Sequence, residues 1–580
     1  MNSQGHVCLP LLAGLAVAVL SVLPGCGPDS DYRAAPEAGV PAFHWFEYTG
    51  QDTVFEQFVP GEDEYQNPLI AGFYPDPSII RHGADYFMVH STFSVYPGIP
   101  LFHSRDLVNW TQIGHVLDRP SQLDLEGLEM SYGVFAPTIN YHDGTFYVLS
   151  TVVNGGGNFL VTSEDPSVPG SWSEPVWLTD VQGIDPSIFF DDDGTIYILN
   201  NGPPEGEPLY EGHRALWIQE YDPETQTTGP DQVIVDGGVD ITQEPIWIEA
   251  PHLKKIDGQY LLIAAEGGTG HQHSQVAFRA DSPTGPYVPY EGNPILTQRH
   301  LDRDRPFPVD NTGHADIVET QNGEWWAVFL GVRPYEGTYF NTGRETFMLP
   351  VEWTDDGWPI ILKGDETVPY THPRPDLPLQ DTPEIPLTGN FTLLDTFEED
   401  ELALYWSFIR TPTEKWYELD NGMLKIQPRP VHISDGGNPS FIGRRLQHAR
   451  AIASTAMTYR PSAPGDAAGM VAFQRENNYF FLGVTLEEGA EQPVIQLEKR
   501  SGDTSGGTTV ILASKPLEYD TDSPVYLRIE AREDEYDFYY SLTENRWELL
   551  YEGADGKVLS TERAGGFIGS FFGMYSYSEN

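Results

Sequence analysis

Five side chains stand at matching places in this chain, each just ahead of a short strand-like phrase. They are Asp76, Phe135, Asp185, Glu249 and His314. The phrases that follow begin Pro77-Ser78-Ile79, Pro137-Thr138-Ile139, Pro186-Ser187-Ile188, Pro251-His252-Leu253 and Ala315-Asp316-Ile317. Three carboxylates gathered in one cavity cannot all stay charged, because like charges and poor solvation raise at least one pKa. The outcome is a division of labour. One carboxyl keeps its proton and donates it to a leaving oxygen, a second stays ionised and activates water, and the third orients and tunes the donor. Such a set suits hydrolysis of a glycosidic bond with inversion, for which the acid and base stand about 6.5–9.5 Å apart to admit the water. Taken singly, Asp-Pro at Asp76 or Asp185 reads as a turn with a capping side chain. Recurrence at equivalent points favours chemistry.

The element that would gather these residues is a repeat. Each phrase leads through a tight turn into a second strand rich in aromatic and β-branched residues, as in Asp143-Gly144-Thr145-Phe146-Tyr147-Val148 and Asp193-Gly194-Thr195-Ile196-Tyr197-Ile198. Asp-Gly and Asn-Gly supply the positive φ that tight hairpins need. A recurrence of roughly 50–65 residues fits four-stranded propeller blades. Five copies predict an all-β fold with a five-bladed β-propeller over residues 65–366. Inner strands then bring distant carboxylates to one end of the axial funnel. The Pro-rich stretch 367–390 reads as a linker. Residues 391–580, with runs such as Tyr479-Phe480-Phe481-Leu482, read as an antiparallel β-sandwich. Residues 26–64 read as an irregular extension.

Charge and the leader narrow the class. Against 32 basic residues stand 86 acidic ones, a formal net charge of −54. That surface repels phosphates and argues against a nucleic-acid partner, while a neutral polysaccharide is not repelled. Residues 1–25 read as a signal peptide, apolar from Leu9 to Leu23. Leu23-Pro24-Gly25-Cys26 resembles a lipobox, which predicts export and a membrane anchor through lipid on Cys26. The other reading is ordinary secretion. Both cysteines, Cys8 and Cys26, lie in this region, so the mature protein has no internal disulfide to rely on.

Several phrases together resemble glycoside hydrolase family 43, the group of β-xylosidases and α-L-arabinofuranosidases. They are Gly72-Phe73-Tyr74-Pro75-Asp76-Pro77-Ser78, Phe102-His103-Ser104-Arg105-Asp106-Leu107, Gly183-Ile184-Asp185-Pro186-Ser187, Glu249-Ala250-Pro251-His252-Leu253, Glu266-Gly267-Gly268-Thr269-Gly270 and Gly343-Arg344-Glu345-Thr346. The C-terminal region resembles the concanavalin-like (jelly-roll) sandwich that many members carry. The resemblance implies Asp76 as general base, Asp185 as the residue tuning the acid, and Glu249 as general acid. It implies sugar contacts for Arg344 and an aromatic wall at Phe93. For Arg344, a surface ion pair with Glu345 or a neighbour is the alternative. Many relatives have Trp-Ala-Pro-His where this chain has Phe135-Ala136-Pro137-Thr138, so Phe135 would stack on sugar without an N–H donor. No cofactor is required. The resemblance places a histidine, here His314, near a central cation, usually calcium, bound largely through water; a hydrogen-bonded core histidine is the equal alternative. Asp191-Asp192-Asp193-Gly194 reads as an acidic hairpin turn. His271 and His273 read as loop histidines beside the pocket.

The expected activity is therefore inverting hydrolysis of xylan-derived oligosaccharides, releasing β-D-xylosyl or α-L-arabinofuranosyl units. The substrate partner would be a xylo-oligosaccharide or arabinoxylan. The rivals are a retaining five-bladed fructan hydrolase, whose Asn-Asp-Pro-Asn phrase is absent, and a non-catalytic surface glycan-binding lipoprotein.

Overall fold

The computed structural model describes residues 38–490, 492–503 and 506–579. The signal peptide, Cys8 and the proposed anchor at Cys26 lie outside the described residues. Five antiparallel sheets follow one another as blades. Their inner strands are Ser78–His82, Thr138–His142, Ile184–Phe190, Glu249–Ile256 and Asp310–Glu319. Each inner strand turns back into a second strand whose apolar residues are buried between blades. Two of the hairpins, at Asp143-Gly144 and Asp257-Gly258, use positive φ at both turn residues. At Asp193-Gly194 and Asn322-Gly323 only the glycine is left-handed, and the turn is one residue wider, closed by Gly194 N to Asp191 O and Gly323 N to Thr320 O.

Blade five has three strands of its own. The chain closes the ring by laying its own beginning on that blade. Ile70 and Thr346 exchange backbone hydrogen bonds of 3.1 and 3.2 Å. The Asn67 carboxamide grips both the N–H and the C=O of Met348, each at 3.0 Å. A first-to-last closure of this kind removes a free sheet edge and resists opening of the ring.

Residues from 391 on form two eight-stranded antiparallel sheets, and each borrows a strand from the N-terminal part of the chain. The expected irregular extension is corrected here. Ala42–Gly50 is a strand in the interior of one sheet, paired to Arg450–Thr458 on one side and to Thr392–Asp395 and Leu424–Ile426 on the other. A bulge between Phe43 and Trp45 resets its alternation, so that Phe43, Phe46 and Tyr48 are all buried. The other sheet ends on Val95–Tyr96 of blade one, paired to Ser407–Ile409. The Pro-rich stretch is no free tether either, since Thr371–Pro373 pairs with Glu64–Gln66 and Leu377 is buried. One continuous apolar cluster runs from Phe87, Leu101 and Val116 of blade one into Ile442, Met470 and Phe572 of the sandwich.

Candidate active site

The inner strands are tied to one another by a closed ring of contacts built on one side chain per blade, Ser78, Thr138, Ser187, His252 and Asp316. Ile139 N donates to Ser78 Oγ at 3.1 Å, Thr138 Oγ1 to Pro186 O at 2.8 Å, and Ser187 Oγ to Pro251 O at 2.5 Å. His252 Nδ1 stands 3.5 Å from Asp316 Oδ1. Asp316 Oδ2 accepts from Ser78 Oγ and Ile79 N, both at 3.0 Å. This ring fixes the register between blades. Two residues before each of its members come Asp76, Ala136, Asp185, Ala250 and His314.

Four of those five residues, Asp76, Asp185, Ala250 and His314, have φ between 50 and 55°. Non-glycine residues seldom adopt that conformation, and where it recurs it is held by the surrounding structure, often at functional sites. The ring also corrects the sequence register. Glu249 and Phe135 are one residue earlier than the positions equivalent to Asp76 and Asp185. The short aspartates thus project from the left-handed residue itself, and the longer glutamate from its neighbour.

All three carboxylates line one cavity of about 580 Å³, with Phe93, Phe135, His314 and Arg344 also on its wall. Arg344 grips Asp76 with both terminal nitrogens, Nη1 to Oδ1 at 2.9 Å and Nη2 to Oδ2 at 3.4 Å. Ser91 Oγ donates to Asp76 Oδ2 at 2.5 Å. The alternative pairing of Arg344 with Glu345 is excluded. Glu345 is buried and held by Arg333 at 2.7 Å, which also reaches Asp52 at 2.6 Å.

These surroundings set the protons apart. Burial works to raise the Asp76 pKa, but the Arg344 cation, His314 and the Ser91 hydroxyl outweigh it, and the carboxyl is held below its ordinary range. Glu249 has no such partner. Burial and the Asp76 charge push it up to about 7, against smaller opposing effects of Arg344 and Arg214. Asp185 is raised well above the ordinary carboxylate range by burial, then by Glu249 and Asp76. Burial pushes His314 down to about 4, against the pull of Asp76, so its ring is neutral at pH 7.

One atom each of Asp185, Glu249 and His314 falls within 4.8 Å of the others. As direct ligands these three do not fit calcium, which takes about six to eight oxygen ligands. They offer a nitrogen and two carboxyls whose burial favours keeping protons, and a cation would strip the proton from Glu249. His271 Nδ1 is engaged by Asp310 at 2.9 Å, and His273 Nδ1 by the Asn311 carbonyl at 2.9 Å. Asp191 accepts from Lys255 Nζ at 2.7 Å and Tyr260 Oη at 2.6 Å, as an acidic hairpin turn tied to the next blade.

The structure adds residues that sequence reading missed. Phe567, from a sandwich loop, enters the cavity wall. Its ring lies stacked 5.8 Å from Phe93 and edge-on 5.9 Å from Phe135, and the Arg344 guanidinium lies 5.8 Å from its centroid. The loop is locked in place by Phe567 N to Ser131 Oγ at 3.1 Å and Ser570 N to Asn341 O at 2.8 Å. Gly569 packs so closely on Thr342 that a Cβ would fall 2.5 Å from its carbonyl oxygen. The only signal in the sequence was an aromatic ring inside Gly565-Gly566-Phe567-Ile568-Gly569. Arg214 and Trp247 also line the cavity and carried no motif.

Residues 65–359 match the family profile described as Glycosyl hydrolases family 43. The chain belongs to that family. Residues 394–580 match the beta xylosidase C-terminal concanavalin A-like domain. A xylosidase/arabinosidase of Butyrivibrio fibrisolvens is 39% identical over 88% of this chain and 95% of its own length. A non-reducing end alpha-L-arabinofuranosidase of Bacteroides ovatus is 38% identical over 88% of this chain and 91% of its own. The crystal structure of a GH43_12 retrieved from capybara gut metagenome superposes with a TM-score of 0.86 at 38% identity, covering 93% of this chain and all of that one. This family 43 chain is thus a glycosidase, with a five-bladed propeller and a concanavalin-like sandwich.

Proposed function

We propose that this family 43 glycosidase removes terminal β-D-xylosyl or α-L-arabinofuranosyl units from xylan-derived oligosaccharides, with inversion. The observation that carries the reading is the opposite treatment of two buried carboxyls in one cavity, Asp76 held ionised and Glu249 held protonated up to about pH 7. Asp76 acts as the base. Arg344 and Ser91 fix its carboxylate, which takes a proton from the attacking water. Glu249 gives its proton to the leaving oxygen. Asp185 accepts the Ala250 N–H and so orients the backbone beside Glu249. The Phe93, Phe135 and Phe567 rings shape one wall for the sugar. The names of the relatives, spanning xylosidase and arabinofuranosidase, support both sugars as released products.

The test is product analysis with purified protein on xylobiose, arabinosylated xylotriose and arabinoxylan. Release of free xylose or arabinose is expected. Tight binding of these sugars without any product would sink the proposal in favour of a glycan-binding protein.

A further inference from the structure

The cavity has two unlike parts. Arg344 grips Asp76, and the Phe93 and Phe567 rings stand beside its guanidinium with Phe135 against both. Beside Glu249, blades three and four supply Arg214 and Trp247, and both are half-buried on the cavity wall. The Arg214 guanidinium lies 4.0 Å from the centroid of the Trp247 ring. Its Nη1 donates to the His213 carbonyl at 3.0 Å. Among the described residues no carboxylate pairs with it, although acidic residues outnumber basic ones 86 to 32.

Trp247 adds an independent sign. It stands two residues before Glu249 with φ of 52°, a conformation that bulky residues rarely take. Its N–H is held by Gly212 O at 3.0 Å, and Gly267 N donates to the preceding Ile246 carbonyl at 2.8 Å. The strained backbone presents the indole to the cavity with the guanidinium stacked on it. Stacking fixes the plane of an arginine and leaves its in-plane N–H donors free for a pair of acceptors.

We propose that Arg214 and Trp247 form the subsite for the leaving sugar, and that the ligand there is a neutral pyranosyl unit held through vicinal hydroxyls. This rests on the functional reading above. The acid protonates the oxygen that joins the cleaved unit to the leaving unit. A group next to Glu249 and apart from the aromatic wall at Arg344 therefore meets the leaving side. The subsite selects oligosaccharides over substrates whose leaving group offers no hydroxyls.

The experiment compares Arg214→Ala, Arg214→Lys and Trp247→Phe with wild type on xylobiose and on xylosyl fluoride, whose leaving atom is too small to reach this wall. Loss of a charge-assisted hydrogen-bond pair predicts a fall of about 10- to 100-fold in kcat/KM on xylobiose for Arg214→Ala. Arg214→Lys is expected to recover little of it, because an ammonium lacks the fork. Trp247→Phe is expected to fall less than Arg214→Ala. Rates on the fluoride should fall clearly less than those on xylobiose, and thermal unfolding shows separately that each variant is folded. Equal losses on both substrates, or no loss on xylobiose, overturns the subsite. A wild type that turns over neither substrate overturns the functional reading itself, and the subsite with it.

Discussion

Replacing Asp76 by Asn keeps the shape of the base but removes its charge, and Arg344 would then face a neutral amide. Loss of a positioned general base is expected to cut turnover by about 100- to 10,000-fold on every substrate. Glu249→Gln should behave differently. It is expected to abolish hydrolysis of xylobiose, whose leaving alkoxide needs a proton, while sparing glycosides of acidic phenols. Steady-state kinetics on the two substrate types checks this pair. The raised Glu249 pKa also has a sign in stability. A carboxyl that binds its proton more tightly when folded supports the fold below its unfolded pKa, and that support is lost as pH rises through the folded value of about 7. The same titration sets the basic limb of activity near pH 7. Glu249→Gln should therefore be more stable than wild type at pH 8, by roughly 3 kcal/mol, and about equal to it near pH 4.5. Thermal unfolding at the two pH values is the measurement. At this scale the three carboxylates were legible because each opens a repeated phrase. Phe567, Arg214 and Trp247 were not. Their approach to the cavity is set by packing between elements far apart in the chain, and no local pattern encodes it.

The strand starts that carry the carboxylates depend on a few backbone positions. Gly183 has φ of 83° and lies so close to the neighbouring strand that a Cβ would run into the Asn201 carbonyl. Gly183→Ala must shift this strand start, and with it Asp185 two residues on. A loss of at least about tenfold in kcat/KM is expected, with destabilisation of about 1–3 kcal/mol. Gly194 is the control, with φ of 91° but open space around its Cβ position. Gly194→Ala should cost only about 1–2 kcal/mol of stability and no specific activity. Equal activity loss in both would show that the inner-strand start is not special. The hairpin phrases were readable because turn chemistry and alternation agree within each copy. The Ala42–Gly50 strand was not, because the bulge at Phe43 and Trp45 breaks its period of two. Its pairing partners, moreover, begin about 340 residues later at Thr392–Asp395.

Propeller and sandwich are stitched together by exchanged strands, a shared apolar cluster and a shared cavity wall. Neither is expected to behave as a detachable module. A chain lacking residues 38–50 would expose the sites of Phe43, Phe46 and Tyr48 in the sandwich. It should unfold at a markedly lower temperature or fail to stay soluble. Phe567→Ala should keep the fold, since the ring is only half-buried, yet raise KM by about tenfold through loss of a stacking wall. Unchanged KM in that variant would confine the sandwich to a supporting role. The central claim, that Asp76 activates water while a protonated Glu249 assists departure, is tested most directly by the sugar first released. Proton NMR during hydrolysis of a β-xyloside should show α-xylose first, with the β-anomer growing in only by mutarotation. β-Xylose appearing first would mean retention through a covalent intermediate, and would contradict the assignment of Asp76 as the base.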